Sequence, residues 1–179
     1  MGWRGRTALS LLMLGVVAAT PALATVTVWF DAQDSNVAPG ENVDVVIMAE
    51  FSDAIIAWGI DLTIADESVA TLVDIDIADP PWVALPRARD GDGLAGIAFP
   101  EGVSGITPLA TLTFLGGDIG TTAISLSYDL DDEAEGFALD PPPDELDLDV
   151  TFIDGTITVP EPGSLALFAL CGLAALRRR

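Results

Sequence analysis

The chain reads as an all-β protein whose central part folds into a two-sheet antiparallel β-sandwich of jelly-roll type, flanked by an N-terminal signal helix and a C-terminal apolar helix. Three observations predict this. Roughly eight to ten short segments rich in valine, isoleucine, threonine and aromatic residues recur between turn-forming clusters. Several alternate apolar and polar residues, the period of a strand with one face buried and one in water. Between the two ends neither an amphipathic helical period nor a repeat at solenoid or propeller spacing is evident. Strands of this kind bury their apolar faces by stacking two sheets.

The strands follow in order. Thr25 to Phe30 is β-branched and aromatic and stops at Asp31. Asp34-Ser35-Asn36 and Ala38-Pro39-Gly40-Glu41 carry turn chemistry. Asn42 to Glu50 alternates, with Val43, Val45, Ile47 and Ala49 facing the core and Asp44 and Glu50 facing water. After a break at Phe51-Ser52-Asp53, Ala57 to Ile64 is one half-buried strand with Trp58, Ile60, Leu62 and Ile64 on one face. Val69 to Ile75 is the next. Ile77 to Gly93, with its prolines and the Asp90-Gly91-Asp92-Gly93 turn, is a long loop, a length often tied to function. Leu94 to Phe99, Thr107 to Leu115 and Thr122 to Tyr128 are strands. Asp129 to Asp149 is acidic and proline-rich, interrupted by Gly136-Phe137-Ala138-Leu139, and the pair Val150 to Ile153 and Gly155 to Val159 closes the domain. Trp29 and Trp58 sit in strand patterns and are assigned to the core.

The two ends are addresses. Arg4 and Arg6 precede an apolar stretch from Ala8 to Ala19 and the small-x-small signature Ala22-Leu23-Ala24, so residues 1–24 read as a signal peptide cleaved after Ala24. Residues 25–159 then form one domain. In residues 160–179, Pro160-Glu161-Pro162 leads into the apolar run Leu165 to Leu176 and the terminal Arg177-Arg178-Arg179. That run has 12 residues, about 18 Å as a helix, against a hydrocarbon core of about 30 Å. It therefore thins the bilayer, snorkels its arginines or inserts only transiently, with the arginines on the cytoplasmic side. Contact with the membrane is expected through this tail alone, before processing.

Five of the seven basic residues belong to these ends. The domain keeps Arg87 and Arg89 against 27 acidic residues, a formal charge of −25. Such a surface repels nucleic acid, which is excluded as a partner, and attracts cations or basic partners. The chain has no histidine or lysine, and its one cysteine, Cys171, is an apolar filler of the tail. Histidine acid/base work, thiol nucleophiles, Schiff-base lysines, the usual zinc sites and disulfides all lack their residues.

Val159 to Ser164, the Leu/Ala/Gly run and the closing arginines resemble the PEP-CTERM sorting domain of exported bacterial proteins. The resemblance implies recognition of Pro160, Glu161 and Pro162 by an exosortase-type membrane protease, removal of the tail, and delivery to the cell envelope or extracellular matrix. A second resemblance covers most of residues 25–159. Pro39-Gly40-Glu41 before a valine-rich strand, Gly59-Ile60-Asp61-Leu62-Thr63-Ile64, Leu109 to Phe114 and Asp154 to Val159 look like the strands of a cohesin-type domain. The tyrosine-aspartate expected after the third strand is here Ala65-Asp66.

Three kinds of site are weighed. Asp90 and Asp92, or Asp129 and Asp131, supply clustered carboxylates of the type that holds calcium, although neither stretch completes the twelve-residue calcium-loop pattern. The alternative is a solvated acidic loop; no other cofactor is expected. Trp82 is placed either to stack on a sugar ring or to cap the core beneath its loop. Paired carboxylates alone do not make a glycosidase in so acidic a chain. The expectation is a secreted, non-enzymatic adhesion or matrix-binding module, with carbohydrate binding or cohesin-type protein docking as alternatives, and extracellular polysaccharide or a protein as the partner.

Overall fold

The computed structural model describes residues 24–85, 93–129, 132, 134–140, 148–161 and 163. The expected signal helix and apolar tail helix lie outside the described residues. Among the described residues twelve strands are present: β1 (Ala24–Phe30), β2 (Asp34–Asn36), β3 (Asn42–Gly59), β4 (Asp61–Ile64), β5 (Ala70–Ile77), β6 (Val83–Ala84), β7 (Ala95–Ile97), β8 (Val103–Gly116), β9 (Gly120–Ser127), β10 (Gly136–Leu139), β11 (Leu148–Ile153) and β12 (Gly155–Val159). They form an eight-stranded and a four-stranded sheet.

β3 organises the sandwich. Its 18 residues would span about 60 Å if straight, far more than a domain of this length allows. The strand therefore bends. Its register against β8 shifts between Ile47 and Met48 and again between Phe51 and Ile55, the second shift falling where the sequence suggests a break. The first half of β3 lies between β1 and β8, with Ala49 opposite Val28 and Ile47 opposite Ala110. β11 and β5 extend that layer on either side. The second half pairs instead with β7 and β10. Ile60 then interrupts the strand, its N–H bonded to the Leu94 carbonyl at 3.1 Å, and β4 continues into the sheet β2-β12-β9-β4. What reads in sequence as one strand from Ala57 to Ile64 is the point where the two sheets are joined.

Other differences have the same origin, pairing between segments remote in sequence. Asp34–Asn36 is a short strand, parallel to β12, because that strand offers Asp34 to Asn36 a row of backbone partners. Gly136–Leu139, inside the acidic stretch, is an edge strand on β3. β11 and β12 do not pair with each other: Ile153 ends a strand parallel to β1, and Gly155 starts one antiparallel to β9. A Cβ on Gly155 would stand 2.9 Å from the Phe30 ring, so the crossing between layers requires glycine. The sandwich is thus antiparallel except at the pairs β1–β11 and β2–β12.

The core follows the alternation. Val26, Val28 and Phe30, then Val45, Ile47, Ala49 and Phe51, then Ala110, Leu112 and Phe114 point inward and are buried, against Ile124, Leu126, Ile157 and Val159 of the other layer. Each of the valine, isoleucine, leucine and phenylalanine side chains among them contributes about 1.5–3 kcal/mol of burial free energy. Trp58 belongs to this core as expected. Trp29 does not: it stands between inward-facing Val28 and Phe30, so its ring is on the outer surface and half-buried.

Trp82 settles the choice left by the sequence. It is fully buried, its indole N–H donates to the Pro108 carbonyl at 3.0 Å, and its ring meets Phe51 and Trp58 edge-on at 6.1 Å each. No face of the ring is left for a sugar, because the chain before β6 needs an apolar plug against the end of the core. The sugar-stacking role is therefore corrected to a core role.

Candidate functional site

The second half of β3 carries an open outward face that is apolar. Trp58 and Ile60 point inward and are buried, so Ala57, Gly59, Asp61 and Thr63 point outward. Directly opposite Ala57 lie Ile97 on β7 and Ala138 on β10, and opposite Ile97 lies Val83 on β6. Val83, Ile97, Ala57 and Ala138 therefore form one row across four strands. Phe99, two residues beyond Ile97, is 87 % exposed, and Val83 is 61 % exposed. A soluble strand normally turns hydroxyl or charged residues outward, as Asp61, Thr63, Ser125 and Ser127 do in the register Asp61–Ser127 and Thr63–Ser125. The apolar row borders that polar patch.

Two glycines shape this face. A Cβ on Gly96 would meet the Trp58 indole nitrogen at 2.8 Å, so glycine there lets β7 lie close over the buried ring. A Cβ on Gly59 would run into the Ala134 carbonyl, so Gly59 admits the turn that precedes β10. That turn is held by Asp132, whose side chain accepts the Ala134 N–H at 2.8 Å, and by Glu135, whose carboxylate accepts the Asp129 N–H.

The turn brings Glu135 to Asp61. Partial burial pushes the Glu135 carboxyl above the ordinary glutamate value, and the charges of Asp61 and Asp132 and a hydrogen bond with the Asp61 carboxyl push it further. The Asp129 N–H pulls the other way. Asp61 and Glu135 are 74 positions apart, and no spacing in the sequence points to their meeting.

Of the sequence-derived candidates, Asp90, Asp92 and Asp131 lie outside the described residues, as do Ala22, Pro162, Arg177, Arg178 and Arg179. Asp129 uses its backbone N–H to fix Glu135. Among the described residues no group of three or more histidine, cysteine, aspartate or glutamate side chains is placed to hold a metal. Ala24 opens β1 opposite Leu148. Pro160 and Glu161 follow β12 directly, outside any strand. A cleft of about 300 Å³ lies between the end of β5 and β6, lined by Ile75, Asp76, Ile77, Asp79, Ala84, Leu85 and Gly93.

Residues 158–179 match the PEP-CTERM protein-sorting motif, so the chain carries an address for export and membrane-associated sorting to the cell envelope. No curated protein matches the chain. Solved structures do match. A chain of the cohesin–dockerin complex Coh-OlpC–Doc435 from Clostridium thermocellum aligns with TM-score 0.53 and 11 % identity, over 79 % of this chain and 96 % of that one. A type III cohesin module of the cell-surface anchoring scaffoldin ScaE from Ruminococcus flavefaciens gives TM-score 0.53 and 12 % identity, over 79 % and 89 %. A chain of the CaDoc0917–CaCohA2 complex gives TM-score 0.52 and 18 % identity, over 75 % and 99 %. The domain has the fold of a cohesin module.

Proposed function

We propose that this protein is a non-enzymatic docking module for another protein, used for adhesion at the cell envelope or in the extracellular matrix. The row Val83–Ile97–Ala57–Ala138, with Phe99 at its end, carries the proposal. On a domain with a formal charge of −25 from residues 25–159, an uncharged row across four strands is a surface suited to association rather than solvation. Asp61, Thr63, Ser125 and Ser127 beside it supply the polar rim that fixes orientation. Two of the similar structures are complexes of a cohesin with a dockerin, and a dockerin-like protein is the partner proposed here. Before docking, the signal peptide is cut after Ala24 and an exosortase-type protease recognises Pro160-Glu161-Pro162 and removes the tail, leaving residues 25–159 as the working domain.

Affinity capture from the exported proteins of the source cells tests this. Wild-type chain retains a partner, identified by mass spectrometry, while Ile97→Asp and Phe99→Ala lose it with unchanged melting midpoints. Equal retention of that partner by all three chains would remove this face from the account.

A further inference from the structure

The first half of β3 carries a second apolar strip, which shares no residue with the first. Ile153 on β11 lies opposite Trp29 on β1, Trp29 opposite Met48 on β3, and Met48 opposite Pro108 on β8. Val28, Phe30, Ile47 and Ala49 are buried, so Trp29 and Met48 point outward. At roughly 4.8 Å per strand the row is about 15 Å long. Ile106, 65 % exposed, extends it along β8. Elsewhere on this surface Thr27, Thr151, Thr111, Thr113 and carboxylates face outward, with Val46 beside Met48 and the exposed Val73 and Leu115 farther off.

The strip is bounded by negative charge. Glu50 lies between Thr27 and Ile106 in the adjoining row. On the other side Asp76 stands opposite Thr111, and Thr113 lies between Asp44 and Asp74. The described residues contain no lysine, arginine or histidine, so among them no cationic side chain offsets these carboxylates.

We infer that this strip is a docking site for a protein segment with an apolar centre and a cationic rim. Tryptophan and methionine are the side chains that anchor interfaces, one by rigid area and the other by adaptability. The flanking carboxylates select basic groups and steer their approach. A second copy of this chain brings the same negative field and is disfavoured. A neutral sugar gains one ring and brings the carboxylates no countercharge. The two strips share no residue and lie on the two halves of β3, on either side of its bend, so the domain can hold two proteins at once, as a bridge does.

The test uses the full-length chain in non-ionic detergent, titrated with a synthetic peptide of alternating leucine and lysine and followed by amide and indole NMR shifts. Saturable shifts are expected at Thr27, Trp29, Met48, Glu50 and Ile106. Trp29→Ala and Met48→Ser, which change no charge, should each weaken binding at least about tenfold, whereas Phe99→Ala should leave it unchanged. Shifts spread over every acidic surface, with the same affinity in Trp29→Ala, would overturn the inference. So would a strip that responds to a neutral glucan oligomer and not to the peptide, or one covered by self-association before any peptide is added.

Discussion

Replacement of Trp82 by alanine separates a core role from a surface role in one experiment. The side chain is fully buried, with edge contacts to Phe51 and Trp58 at 6.1 Å and an N–H bond to Pro108 at 3.0 Å. Truncating a buried tryptophan costs about 3–5 kcal/mol, the transfer loss and the residual cavity together. The lost hydrogen bond adds little, because the Pro108 carbonyl also accepts from the Thr107 hydroxyl at 3.3 Å. With a urea slope of about 1.5 kcal/mol per molar, a loss of about 4 kcal/mol moves the denaturation midpoint down by about 2–3 M. Phe99→Ala is the matched control: 87 % exposed, its loss should stay within about 0.5 kcal/mol. Equilibrium urea unfolding followed by far-UV circular dichroism reads both. A Trp82→Ala loss below about 1 kcal/mol would refute the packing described for the chain before β6.

Three further outcomes follow from the same geometry. Gly96→Ala places a Cβ 2.8 Å from the Trp58 indole nitrogen, and thermal unfolding should show a loss of about 1–3 kcal/mol from overpacking. The Glu135 carboxyl should titrate above the ordinary glutamate value in a carbon-detected NMR pH series, and Asp61→Asn should bring it down, since Asp61 contributes both charge and a hydrogen bond to the rise. Because the folded value is raised, the contribution of Glu135 to stability is full below its unfolded pKa and is lost as pH climbs through the folded value. Asp66 has the opposite sign: bonds from the Ser68 hydroxyl at 2.7 Å and N–H at 3.0 Å hold it below the ordinary value, so its contribution is lost as pH falls through that lowered value.

The parts of the fold set by local alternation were legible in the sequence. Val43 to Ala49, Ala110 to Phe114 and Ile124 to Tyr128 declare an inward and an outward side within a few residues, and the structure places them so. The missed parts depend on remote partners. Nothing near Asp34 shows that β12 will lie alongside it, and nothing in Gly136–Leu139 shows that the bent half of β3 leaves an edge free. Trp29 shows parity outweighing aromatic content: Val26, Val28 and Phe30 take the inward side, which leaves the ring between them outward. The apolar row had a faint signal in Ala57, Ile97 and Phe99, but four strands had to be aligned before it became a row. The sorting tail was readable outright, since it works as a linear motif.

Site-specific photocrosslinking tests the docking claim most directly. A photoreactive residue is placed at Ile97, and in a separate chain at Thr158, on the four-stranded sheet between Asn36 and Thr121, and each is irradiated with the partner that wild-type chain retains. Docking at the β6–β7–β3–β10 face predicts a covalent adduct from position 97 and none from position 158. An adduct from 158 with none from 97 would contradict it.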